Sequence, residues 1–188
     1  DLRERLGAIN PAAPIHAVVQ GVVDPAVLFE KYVYVSGTSP SFVKHFDDYA
    51  QSLIDRFKPD ASGLAVDIGS NDGTLLAAFK DRGFRVLGID PARDIAARAN
   101  EAGIETIADF FSPELAAKIR ESHVSAEVIT ANNVFAHADD LGAIVAGVRE
   151  LLAPGGVFVF EVSYLADVIA DTLFDTIYHE HLAYHSVK

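Results

Sequence analysis

Along the chain, hydrophobic positions first follow a helical period and then break into short runs. Residues 41–57, SFVKHFDDYAQSLIDRF, set Phe42, Phe46, Tyr49, Leu53, Ile54 and Phe57 at helical spacing, and Pro59 and Gly63 end that helix. From residue 64 onward, short apolar runs alternate with amphipathic stretches. LAVDIG (64–69), FRVLGID (84–90), IETIA (104–108), AEVITAN (126–132) and VFVFEV (157–162) read as strands. Helices are expected over 72–82, 92–102, 112–121 and 139–152, and a Pro154-Gly155-Gly156 turn leads into the fifth strand. Strands that are almost continuously apolar and alternate with helices imply an α/β fold whose mostly parallel sheet is covered on both faces. Right-handed crossovers make such a sheet doubly wound, with ligands at the carboxyl ends of its strands. Residues 1–30 are rich in Pro and Ala with weak periodicity, so residues 1–40 are expected to be an appendage leading into the site and 41–188 a Rossmann-like cofactor-binding domain.

Composition narrows the function. The 188 residues are 50% apolar, enough for a sizeable core, and carry 15 basic against 27 acidic side chains, a net charge of −12. Such a balance argues against nucleic acid or an anionic membrane surface as partner and leaves a small-molecule substrate. The absence of Cys removes thiolate metal sites and thiol nucleophiles. No apolar run approaches the ~20 residues of a membrane span, no signal peptide is visible, and the chain reads as cytoplasmic. It begins with Asp and contains no Met, so it is expected not to be an intact reading frame.

Candidate cofactor chemistry lies at three successive strand ends. The first strand runs into VDIGSNDG, where Gly69 and Gly73 flank a strand-to-helix turn that lets backbone and helix-start N–H groups approach a ligand. Ser70 and Asn71 stand where a dinucleotide fingerprint has its second Gly, and Asp67 suits a cationic ligand better than a pyrophosphate. Asp90 ends the second strand, where a carboxylate can take two ribose hydroxyls. After the third, Asp109 can accept from an adenine amino group while Phe110 packs on the ring. Each has a plain structural alternative: capping for Asp67, a turn for Asp90 before Pro91, ordinary core for Phe110 and Phe111. Asn132, Asn133 and His137 follow the fourth strand, where cofactor and substrate meet or where the chain merely turns.

VDIGSNDGTLL, LGIDPA and ADFF resemble the S-adenosylmethionine-binding motifs of class I methyltransferases. YVYVSGTSPSFVKHF, ANNVFAHADD, LLAPGGVFVFEV and FDTIYHEHLAYHS resemble more narrowly the C-methyltransferases that act on nucleotide-linked deoxysugars, over about Phe29 to Ser186. The resemblance implies S-adenosylmethionine as cofactor. To methylate carbon, an enzyme must first make carbon nucleophilic, and removing the proton beside a ketone gives an enolate that attacks the methyl. That needs a base tuned near neutral pH, for which His is suited, and donors for the enolate oxygen. The resemblance places Tyr178, Glu180 and His181 in the active site, with His181 as base, and favours Tyr34 over the site, leaving Tyr32 to packing. A metal site from His179, Glu180, His181 and His185 is the rival reading, and loop-bonding histidines the plain one.

The chain also departs from the resembled family. Its members carry an N-terminal zinc module built on cysteines, whereas the matching stretch here, about Ile15 to Val23, offers only His16, so no structural zinc is expected. The apolar fifth strand is expected to be an edge that further chain beyond Lys188 pairs. Two alternatives complete the reading: an NAD-dependent oxidoreductase, disfavoured by the lack of GxGxxG, and a non-catalytic cofactor-binding module.

Overall fold

The computed structural model describes residues 35–174, 177 and 181–187. A short 3-10 turn, Ser36–Thr38, leads into helix α1 (Pro40–Phe57). Five strands and their helices follow: β1 (Leu64–Ile68), α2 (Thr74–Asp81), β2 (Arg85–Ile89), α3 (Arg93–Glu101), β3 (Thr106–Ile107), α4 (Pro113–Ser122), β4 (Ala126–Asn132), α5 (Leu141–Leu151), β5 (Leu152–Glu161) and α6 (Leu165–Ala170). Among the described residues all strand pairings are parallel, in the order β3-β2-β1-β4-β5. The order reverses at β1, so a crevice opens at the carboxyl ends of β1 and β4.

Strand periodicity sorts the core into two layers. Leu64, Val66 and Ile68 of β1 pack with Ile129, Ala131, Ile119, Ile144 and Val148 toward α4 and α5. Ala65 faces the other way with Val128, Ala50, Leu53 and Phe79, beneath α1 and α2. Pro113 occupies the first turn of α4, where no N–H is needed, and Ser112 Oγ accepts from Leu115 N at 3.2 Å. Asp140 caps α5 through Ala143 N at 2.9 Å. These caps start both helices at residues whose side chains compete for backbone donors.

The structure departs from the sequence pattern at three elements. β3 narrows to two residues. The Pro154-Gly155-Gly156 turn does not precede β5 but bulges within it: Leu152 pairs with Ala126 and Val157 with Val128, and Gly155 takes a φ of 86°. Helix α6, which the pattern did not announce, follows β5. After it the chain returns beside the rim, where Tyr164 and His185 form a parallel bridge and Leu165 N donates to His185 O at 2.8 Å.

Candidate active site

The first turn after β1 is built for close approach. Gly69 and Gly73 hold φ values of 71° and 79°, left-handed conformations that cost a residue with Cβ about 1–2 kcal/mol. Between them Asn71 is itself left-handed, with φ 51°. Its backbone N–H donates to Asp90 Oδ2 at 2.8 Å, and its Oδ1 accepts from Asp72 N at 2.9 Å and from Ser36 N at 3.0 Å. Asp72 accepts from Gly37 N at 2.9 Å and from Thr74 Oγ1 at 2.6 Å. The turn therefore binds the end of β2 on one side and the 3-10 turn before α1 on the other.

This turn, α1 and the ends of β1, β2 and β4 enclose a cavity of about 520 Å³. That volume falls within the ~300–1,000 Å³ of small-molecule sites. Asp67, Gly69, Ser70, Asn71, Asp90, Asp109, Phe110, Asn132, Asn133 and His181 line it, so of the described candidate residues all but Gly73 reach the wall; Gly73 forms the start of α2. Phe42 and Phe46, which their spacing marks as one stripe of a helix, line it from α1, and His137 and Ser163 from the rim.

Asp67 is 4% exposed and Thr130 Oγ1 donates to its Oδ1 at 2.7 Å. Burial pushes its carboxyl up to about 7; the Thr130 hydrogen bond opposes that rise and nearby Asp90 adds to it. Asp90 is also raised by burial, against the two backbone N–H groups of Ala92 and Asn71 that its oxygens accept. The turn role and the site role of Asp90 thus coexist: each oxygen holds one backbone donor and keeps a second acceptor position. Both aromatics line the cavity, but Phe110 is 40% exposed whereas Phe111 is partly buried and packs against the core beside Gly147.

His181 reaches the wall through its neighbours' backbones. Leu182 N and Ala183 N both donate to Ala136 O, at 2.7 and 3.2 Å. The ring lies 5.0 Å from that of His137 and 5.8 Å, edge-on, from that of Tyr184. His185 takes the loop-bonding role, with Nε2 3.3 Å from Phe135 O. Tyr32, Tyr34, Tyr178, His179, Glu180 and the stretch around His16 lie outside the described residues. Among the described residues no cluster of three His, Asp or Glu side chains is arranged to hold a metal ion, and no helix is long and apolar enough to cross a membrane.

The wall fits S-adenosylmethionine in its donors and acceptors. Ser70 Oγ and Asn132 Nδ2 are buried and have no hydrogen-bond partner among the described residues, although both side chains line the cavity. Buried polar atoms are normally satisfied, so two such atoms on one wall mark places for ligand atoms. Asp67 offers a buried acceptor to a cation, Asp90 spare acceptors to paired hydroxyls, and Phe110 a face for a base. Sequence reasoning did not single out Phe42 or Phe46 as site residues, because aromatic residues at helical spacing signal core equally well, and no pattern marks Ser163.

Comparison with known proteins bears on the family and the fold. The model of a methyltransferase-domain family matches residues 42–187. The C-methyltransferase NovU of Streptomyces niveus is 39% identical over 166 residues, 88% of this chain and 40% of that protein. The chain thus spans about two fifths of the curated relative it matches. Among solved structures, DesVI of Streptomyces venezuelae superposes with a TM-score of 0.52 at 20% identity, over 68% of this chain and 53% of its own. The PH0226 protein of Pyrococcus horikoshii OT3 gives 0.58 at 20% identity, over 74% and 62%. At these identities the likeness is one of fold, and it is the fold that the strand order describes. The family match selects the methyl-transfer reading over the dinucleotide one: the chain belongs to the S-adenosylmethionine-dependent methyltransferases and takes S-adenosylmethionine as its cofactor.

Proposed function

We propose that the protein is a C-methyltransferase that methylates carbon beside a keto group of a small nucleotide-linked deoxysugar, through an enolate. The observation that carries this reading is the imidazole of His181 on the wall of the cofactor cavity, held there by backbone bonds to Ala136. Likeness to the C-methyltransferase NovU supports it. S-adenosylmethionine, when bound, supplies an electrophilic methyl group on a sulfonium.

Asp67 would hold the ammonium of the cofactor's amino-acid end, Asp90 its ribose hydroxyls, and Asp109 with Phe110 its adenine. Gly69, Ser70, Asn71, Gly73, Asn132 and Asn133 complete that binding surface. His181 removes the proton beside the carbonyl and holds it on its imidazole, while the electron pair of the broken C–H bond delocalises between the α-carbon, which becomes nucleophilic, and the carbonyl oxygen. Tyr178 donates to that oxygen, Glu180 orients the base, and Tyr34 covers the substrate. Residues 1–40 lead into the site and 41–188 form the cofactor-binding domain.

The test is hydrogen exchange on a keto deoxysugar nucleotide in deuterated water. With wild type and no methyl donor, deuterium should enter the α-carbon. His181→Ala should stop that exchange and lower turnover by ~10²–10⁴-fold while leaving cofactor affinity nearly intact. Full turnover by His181→Ala would remove the base assignment.

A further inference from the structure

We propose that Tyr49, a residue of α1 outside the cavity wall, is a positioning residue that fixes the Asn132 amide with Nδ2 turned to the carboxylate of the cofactor's amino-acid end. This rests on the reading of the cavity as the S-adenosylmethionine site. The Tyr49 hydroxyl donates to Asn132 Oδ1 at 3.2 Å, across 83 residues of sequence. An amide is planar, so holding Oδ1 decides where Nδ2 lies, and Nδ2 is the buried donor without a partner among the described residues.

The opposite orientation would turn Oδ1 toward a wall that already carries the Asp67 carboxylate. It would also replace the acceptor of the Tyr49 hydroxyl by the amide's N–H groups, so that the bond now made to Oδ1 would be lost. Tyr49 is itself held. Its ring stacks on His45, centroids 6.1 Å apart and planes 13° from parallel. His45 Nε2 lies 3.3 Å from Glu161 Oε2, and Glu161 is the cross-strand partner of Asn132. Strand alternation puts Asp67, Thr130, Asn132 and Glu161 on the one sheet face that α1 covers. The loop of contacts therefore closes on the residue it orients.

The ligand class follows from what the wall lacks. Among the described lining residues there is no Lys or Arg. Apart from the imidazoles of His137 and His181, the lining side chains that can donate are neutral, so a zwitterionic amino-acid group that meets Asp67 with its cation finds neutral donors for its carboxylate. Asn132 Nδ2 lies one pleat beyond Thr130, the residue bonded to Asp67.

Calorimetric titration with S-adenosylmethionine and with decarboxylated S-adenosylmethionine tests this. For S-adenosylmethionine, Asn132→Ala should weaken binding about tenfold or more and Tyr49→Phe about three- to tenfold, with no added loss in the double variant. For the decarboxylated analogue both losses should shrink to within about twofold. Tyr49→Phe keeps the ring and its packing, so equal melting temperatures confirm an intact fold. The Asn132 side-chain amide resonances should shift on cofactor addition in wild type and shift differently in Tyr49→Phe. If wild type binds neither compound, the cofactor reading falls and this one with it. If wild type binds but Tyr49→Phe binds S-adenosylmethionine equally well, or loses equally on both compounds, the positioning role alone is overturned.

Discussion

Replacing Asp67 by Asn should make the protein more stable and a poorer binder of its cofactor. The structure supplies the magnitude. Asp67 is fully enclosed and its carboxyl is pushed up to about 7, from an ordinary 3.8. Between those values the folded protein keeps a proton that the unfolded chain has released, so stability falls as pH rises through that window. At ~1.36 kcal/mol per unit, about three units amount to about 4 kcal/mol lost above pH ~7.

An amide at this position carries no charge and still accepts from Thr130 Oγ1. Urea unfolding of Asp67→Asn should therefore match wild type near pH ~4 and exceed it by up to ~4 kcal/mol near pH ~8. Cofactor binding should go the other way. A cation beside Asp67 favours the carboxylate, so wild-type affinity should rise as pH passes through about 7, while the Asn variant should bind at least tenfold more weakly and without that rise. A stability difference independent of pH, or undiminished affinity in the variant, would refute the argument.

Asp90→Ala removes the paired acceptor at the end of β2; at ~1.5–3 kcal/mol per hydrogen bond to a charged group, calorimetry should show at least a tenfold loss of S-adenosylmethionine affinity. Gly73→Ala and Gly155→Ala separate two costs. Both residues are left-handed, but a Cβ on Gly73 would lie 2.8 Å from Ile104 Cγ2, whereas one on Gly155 would meet nothing within 4 Å. Denaturation should show ~1–2 kcal/mol for Gly155→Ala and a larger loss for Gly73→Ala; equal losses would mean that Ile104 yields freely.

Much of the fold was legible because its strands are buried on both faces. Residues 64–68, 85–89 and 126–132 appear in the sequence as apolar runs at the places where the sheet has them. What was not legible depended on partners far away or on very short elements. Thr106–Ile107 pairs along one edge only, so its longer apolar run does not all become strand. The Pro-Gly-Gly stretch reads locally as a turn, and only Ala126 and Val128 across the ladder convert it into a bulge. Helix α6 has six residues, too few to show a period. In the site, Asp67 and Asp90 announce themselves because a carboxylate inside an apolar run is costly without a purpose. Tyr49 does not, since an aromatic at helical spacing reads as core until its hydroxyl is seen on a residue 83 positions along.

The anchoring of His181 by main-chain donors has a consequence for how the protein can vary. Leu182 and Ala183 are tied to Ala136 through N–H groups that nineteen of the twenty residues supply, and the Leu182 side chain is largely exposed. The side chain at 182 is thus free to drift without displacing the neighbouring imidazole. Proline is the exception, because it removes the donor. Mutation can then remodel the surface that the rim presents while the imidazole keeps its place on the cavity wall, so the two can change independently in this segment's inheritance.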